Sequence, residues 1–397
     1  MRVQHTAFPL PNFPVYSSAF VSDDELVIGG GGGQSKSGIK NKLRLYKVQS
    51  GSIMTQLDEL ELEKGEDAPM SMTAIPETKT IVCGINSAED GLKDGLNQNC
   101  RTYTIEADKI SFQASTSTLK PDSVNDDYQK VTILSPDHKF LAIAGTKDLS
   151  LLEYPSLKLA ANPITIEKGE IYDATFSETT LVVATTINLL VYTLPALDAT
   201  LASKKAGKKK EMPVLELELY KTIDRPDLPG VDGGSSFRAV RYHPQDSKVL
   251  YTVLNTVPPR SQKKNAPRRA FICKWNAEKW VVTRPRKVSD RGLTCFDVSA
   301  DGKFVAYGSS DYSVGVLDGK TLAPLLTILK THEFPPTTLK FNPSASLLVS
   351  GSADNSVRLI SVPDNLTAAS WSTWIVVLVT LLIIIFAIIA GQMQHAY

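Results

Sequence analysis

The residues of this chain with the most unusual chemistry are five consecutive glycines, Gly29, Gly30, Gly31, Gly32 and Gly33, within IGGGGGQSKSGIKNKLRLYKV at 28–48. Each glycine costs roughly 0.5–1 kcal/mol of ordering entropy relative to alanine, and a tight hairpin needs only about two turn residues. A long glycine loop here suggests backbone doing something that side chains cannot. Phosphate cradling is one option, but its spacings fail. No Gly-Lys-Ser/Thr follows a four-residue gap, Gln34, Ser35 and Lys36 stand where the last glycine of G-x-G-x-x-G belongs, and no strand-to-helix context follows. Coordination of a cation by carbonyl oxygens is a second option, since glycine lets the backbone fold closely around an ion. A flexible low-complexity loop is a third. The acidic turn Glu66-Asp67-Ala68-Pro69 is a further candidate, with Asp67 and Pro69 placed to share a face with the glycines; an ordinary exposed turn is its alternative.

Covalent chemistry finds little support. The chain has no G-x-S-x-G and no H-E-x-x-H, the acidic run at 89–99 lacks EF-hand spacing, and the five histidines lie far apart. Only a triad assembled in space would escape this reading. The expectation is a protein that acts by binding, not an enzyme. Lys plus Arg number 43 against 42 Asp plus Glu, so no whole-chain bias points to nucleic acid. Cys83, Cys100, Cys273 and Cys295 show no C-x-x-C spacing and suit a reducing compartment.

The elements that must position the glycines are short strands in a repeated pattern. A shift of 43 residues aligns Phe296 with Leu339, Val298 with Phe341, Gly308 with Gly351, Asp311 with Asp354 and Val314 with Val357. That period is a propeller blade's. Units of this kind fall at 16–48, 70–105, 131–157, 172–194, 237–275, 293–317 and 338–362, predicting an all-β, seven-bladed WD-type β-propeller with degenerate repeats that lack the Trp-Asp dipeptide. Two β-sandwiches would leave the self-match unexplained. His332 stands where such repeats often carry Gly-His, and a segment near Val3 to Phe8 is expected to complete the last blade. Two basic tracts, one holding Lys204, Lys205, Lys208, Lys209 and Lys210 and the other at 260–269, are read as lying between blades. Both lack interleaved aromatics, so they read as solvated loops, or as contacts to anionic lipid if both face a bilayer.

Residues 374–390 read WIVVLVTLLIIIFAIIA, and no Asp, Glu, Lys or Arg follows Asp364. About 17–25 apolar residues cross the roughly 30 Å of bilayer hydrocarbon, which predicts one C-terminal transmembrane helix. The N-terminal residues lack a secretory signal, so the expected layout is a cytosolic propeller over 1–365, a linker over 366–373, the span over 374–390 and a lumenal tail over 391–397. The sequon at Asn365 should then stay unmodified on the cytosolic side.

With its glycine loop at 29–41 in the first blade of a degenerate WD propeller, the chain resembles the Sec-twelve family. That family contains endoplasmic-reticulum exchange factors that load GTP onto the small GTPase Sar and start COPII coat assembly in ER-to-Golgi transport. The resemblance implies that Gly29, Gly30, Gly31, Gly32 and Gly33 organise a potassium ion through their backbone. It implies too that Ile39 and Asn41 reach the GTPase, and that the protein sits in the endoplasmic-reticulum membrane. Some members carry a long lumenal domain, so lumenal functions are not expected of a seven-residue tail. The competing expectation is a membrane-tethered WD scaffold without exchange activity, with nucleic-acid binding further behind.

Overall fold

The computed structural model describes residues 3–35, 37–49, 51–119, 127–195, 215–231, 233–257, 268–363, 366 and 377–385. They form seven antiparallel sheets, six of which follow the chain directly. Blade one contains Val15–Phe20, Glu25–Gly30, Lys42–Gln49 and Ile53–Glu61, and blade two Ser71–Ile75, Thr80–Gly84, Cys100–Glu106 and Lys109–Thr116. The inner strands of the next five blades are Val131–Leu134, Ile171–Phe176, Gly234–His243, Leu293–Val298 and Pro336–Phe341. Those seven inner strands touch one another in a closed circle around the axis. The expected seven-bladed propeller is therefore the fold.

Its core is repeated, not central. Seven apolar clusters each bridge two neighbouring blades, Leu43 and Leu45 of blade one meeting Ile81 and Tyr103 of blade two, for example. Second strands are buried along most of their length, fully so in Phe304–Ser309 and Leu347–Ser352, because both faces of a blade are covered by its neighbours. Closure comes from His5–Pro9, which adds antiparallel to Ser356–Ser361 with His5 opposite Ile360 and Pro9 opposite Ser356. Completing the outermost position of the last blade with the N-terminus ties the ring shut, as expected.

His332 explains part of that last blade's stability. It is buried, with Nε2 2.9 Å from Ser350 Oγ, Nδ1 2.9 Å from Ser356 Oγ and Nδ1 3.2 Å from Asp354 Oδ2. Burial lowers its pKa, outweighing the opposing pull of Asp354. A depressed folded-state pKa means that the unfolded chain takes up the proton first as pH falls, so this stability is present above about pH 6.5 and lost below it. Urea midpoints measured at about pH 7.5 and about pH 5.5 should fall on acidification, and the drop should shrink in His332→Gln.

Strand ends define two faces. Val15 pairs with Gly30, so inner strands start, and second strands end, on what we term the upper face, which carries the residue 31–41 connection. Leu347 pairs with Ser361, so the chain leaves the propeller on the lower face, where Leu366 is buried against blades six and seven. The basic tracts do not lie between blades. Asn188–Thr193 pairs with Leu219–Asp224, which puts the connection holding Lys204, Lys205, Lys208, Lys209 and Lys210 inside blade four, anchored on the lower face. Asp246–Val257 pairs with Ala270–Asn276, which puts the other tract inside blade five, anchored on the upper face. One bilayer cannot meet both anchor points. The five lysines themselves lie outside the described residues, as do Asn365, the tail at 391–397 and much of the expected span. Residues 377–385 are helical and exposed, and among the described residues no helix is long and apolar enough to cross a membrane.

Candidate partner-binding site on the upper face of blade one

The glycine run divides into two parts with different physical duties. Gly29 and Gly30 are not loop residues. They extend the second strand two positions past Ile28 and pair with Leu43 and Lys42, so the hairpin connection is 31–41 and the following strand begins at Lys42. A Cβ on Gly29 would stand 2.5 Å from Ser17 Oγ and 2.6 Å from Pro69 Cβ, and one on Gly30 2.2 Å from the Pro14 carbonyl. Neighbouring backbone and side chains already fill that space. Gly31 turns the chain with φ +137°, a conformation closed to L side chains.

Asn41 fastens the turn that follows. Its Oδ1 accepts from the Gly33 N–H at 2.9 Å, while Nδ2 donates to the Gly33 carbonyl at 2.9 Å and to the Glu66 carbonyl at 2.6 Å. Ser35 Oγ donates to the Gly32 carbonyl. Asn41 is 8% exposed, and all three of its side-chain bonds are made inside the loop and its acidic neighbour. Ile39 is half-buried at the loop's surface, beside the exposed Lys40–Glu61 pair at 2.6 Å.

The acidic turn belongs to the same structure. Glu66 is buried and bonds Arg101 at 2.5 Å, and its carbonyl holds Asn41. Asp67 is half-buried, with its carboxyl taking the Ala68 N–H at 2.7 Å and the Gln34 N–H. Burial raises its pKa despite those two donors. Pro69 is buried under Gly29, and its carbonyl accepts from Ser17 Oγ at 2.6 Å. Asp67 thus stays within reach of a ligand and Pro69 does not. Tyr16, on the inner strand, has its pKa raised by burial and then by the Asp67 charge.

Potassium, the ion implied by the resemblance, needs hard oxygen donors. Gly31, Gly32 and Gly33 offer carbonyls in one turn; those of Gly32 and Gly33 each keep a second lone pair, and Asp67 offers a half-buried carboxylate with no cationic partner among the described residues. These groups fit a monovalent cation. Gly29 and Gly30 are committed to the ladder on both sides and are poorly placed to contribute. Among the described residues no group of three or more His, Cys, Asp or Glu could hold a metal.

Arg101, 35 residues beyond Glu66 in the chain, escapes sequence reasoning because nothing local links the two. The bulged residues of the inner strands escape it too, although aligning the strand starts at Val15-Tyr16, Ile171-Tyr172 and Phe237-Arg238 would have exposed them.

Comparison with known proteins agrees with this architecture. Residues 323–361 match the family described as WD domain, G-beta repeat, a unit that runs from the outer strand of blade six through three strands of blade seven. The chain is 24% identical to the guanine nucleotide-exchange factor SEC12 of Candida glabrata, over 98% of this chain and 80% of that protein. It is 23% identical to SEC12-like protein 2 of Arabidopsis thaliana, over 84% of this chain and 75% of that protein. It is 22% identical over 97% of its length to the putative guanine nucleotide-exchange factor SED4 of Saccharomyces cerevisiae, of which it spans 33%. The likeness to these proteins runs along nearly the whole length of the propeller, so the chain is similar throughout to the Sec-twelve family.

Proposed function

We propose that the chain is a guanine-nucleotide exchange factor for a small GTPase of the Sar type, working at the endoplasmic-reticulum membrane to start COPII coat assembly. The observation that carries the reading is the glycine hairpin. A glycine-rich connection that would be floppy alone is fastened by Asn41 to Gly33 and Glu66, so a rigid backbone wedge stands on one face with Ile39 at its surface. The names of the similar proteins support exchange as the activity. A plain scaffold has no use for such a wedge at a fixed place.

Exchange needs no nucleophile or proton shuttle, only a surface that binds the nucleotide-free GTPase better than the loaded one. Each 1.4 kcal/mol or so of that preference shifts the equilibrium about tenfold towards release. In this reading Ile39 presses on the segment of the GTPase that holds magnesium and phosphate. Gly31, Gly32, Gly33 and Asp67 would hold potassium, which supplies a fixed positive centre that keeps their oxygens converged. The span at 374–390 anchors the protein, and because the chain leaves by the lower face the hairpin points away from the bilayer. The tract with Lys204, Lys205, Lys208, Lys209 and Lys210 is anchored on the membrane side, suited to anionic lipid.

Release of a fluorescent GDP from a Sar-type GTPase, with the full chain in detergent, tests this directly. Strong acceleration in potassium that weakens several-fold in sodium is expected, the larger ion suiting a carbonyl cage. No acceleration in either buffer would leave a tethered scaffold as the better reading.

A further inference from the structure

Five of the seven inner strands carry a β-bulge at the same place. Pairing with the second strand skips Tyr16, Tyr172, Arg238, Thr294 and Thr337, each near the upper end of its strand. A bulged residue is released from the ladder and re-aimed. Because the inner strands wall the axial channel, these residues stand at its upper mouth, on the face of the glycine hairpin.

The small members tie blades together. Thr337 Oγ1 donates to the Val15 carbonyl and Thr294 Oγ1 to the Pro336 carbonyl, both at 2.6 Å. Of the large ones, Tyr172 and Arg238 meet across blades through charge and ring surface instead. The Arg238 guanidinium lies 4.5 Å from the Tyr172 ring centre, and Lys130 Nζ lies 5.9 Å from that ring and 5.6 Å from Tyr128. Neither cation has a carboxylate partner among the described residues, and Arg238 makes a single long bond, 3.5 Å to the Thr294 carbonyl. The acids nearby are committed. Asp173 takes the Val240 N–H at 2.9 Å and pairs with Arg241, and Asp127 takes the Thr146 N–H at 2.8 Å and its hydroxyl at 2.6 Å. Asp67 lies against the hairpin, and its charge reaches the mouth at Tyr16 and Tyr128, on the side of blades one to three. The cations of the mouth therefore gather on the side of blades three to five, where Lys130 and Arg238 flank one aromatic ring without a salt-bridge partner among the described residues, while Asp127 places its charge beside Tyr128.

We infer that this basic half of the channel mouth is a docking site for a carboxylate-bearing segment of the protein partner. The inference rests on the reading of the hairpin as the partner's first contact. The mouth is continuous with it, and its unpaired cations want negative charge. Exposed apolar side chains on the same face, Tyr312, Leu329 and Phe334 at 39%, 74% and 55% exposure, add contact that water would otherwise cover.

Arg238→Gln, Lys130→Gln and their double variant test it, with Lys248→Gln as a control from the exposed Lys248–Glu278 pair. One readout is anisotropy of a labelled hexaglutamate peptide; the other is binding of nucleotide-free GTPase. The double variant should weaken both roughly tenfold and flatten their salt dependence, while the control leaves both unchanged. Thermal unfolding confirms that the variants fold. Binding of peptide and GTPase that ignores both substitutions overturns the inference. Peptide binding that depends on Arg238, without any GTPase binding, would instead overturn the exchange reading and keep the acidic-segment site. Exchange at wild-type affinity in the double variant would keep the exchange reading and remove the site.

Discussion

Asn41→Ala is expected to lower nucleotide exchange by about two orders of magnitude while moving the global unfolding midpoint little. The substitution removes three hydrogen bonds, to the Gly33 N–H, the Gly33 carbonyl and the Glu66 carbonyl. Each buried partner left unmade costs about 1–3 kcal/mol, so the ordered hairpin loses roughly 3 kcal/mol or more. Near 1.4 kcal/mol per factor of ten, that shift takes the wedge from mostly formed to mostly open. The cost falls on local opening of 31–40, since the flanking ladder from Glu25–Gly30 to Lys42–Gln49 keeps its pairing. Ile39→Ala separates shape from order. It should slow exchange too, but amide hydrogen exchange across 31–40 should stay protected in Ile39→Ala and become fast in Asn41→Ala. Wild-type exchange in Asn41→Ala would mean that the ordered hairpin is not what the GTPase meets.

That contrast shows what could be read beforehand and what could not. The propeller was legible because second strands such as Phe304–Ser309 and Leu347–Ser352 are short apolar runs buried on both faces, and because Gly308 and Gly351 repeat with their neighbours. The outer strands were not. Val281–Ser289 contains Arg284, Pro285, Arg286 and Lys287 and shows mostly exposed positions, so its composition is that of a loop. For the same reason the basic tracts read as linkers, when they are insertions within blades four and five. The glycine run was visible as a run, but its division was hidden. Gly29 and Gly30 are small because Ser17, Pro69 and Pro14 crowd them, and those contacts come from other strands and the next blade. The burial of Asn41 was hidden as well. A polar residue beside a strand looks the same in sequence whether it faces a partner or is buried at 8% exposure holding three backbone groups. The charge at the channel mouth depends on bulges, which have no local signature in Tyr172 or Arg238.

Glu66→Leu should cost about 3–5 kcal/mol of folding stability, the largest effect expected of any single change near the site, because it leaves a buried cation without its partner. Glu66 and Arg101 side chains are 9% and 11% exposed and meet at 2.5 Å. Glu66 Oε2 also accepts from the Glu63 N–H at 3.0 Å, and Arg101 Nε donates to the Gln98 carbonyl at 3.0 Å while its guanidinium also bonds the Tyr103 side chain. None of these bonds to neutral groups can neutralise the charge that remains. Arg101→Met should be costly for the mirror reason, stranding the carboxylate under the acidic turn. The double variant Glu66→Leu with Arg101→Met strands nothing, and replacing a buried pair by apolar groups of similar volume is often near neutral. Urea midpoints of the four proteins therefore form a cycle in which the double variant should be more stable than either single one. Additive losses would show instead that water reaches the pair and that the turn is held by its backbone bonds. Exchange measured on the same four proteins then separates two roles. If stability recovers in the double variant and exchange recovers with it, the pair serves only to hold the turn whose Glu66 carbonyl fastens Asn41. If stability recovers and exchange does not, the charges themselves act on the loop, through the field they place beside Asp67 and the glycine carbonyls.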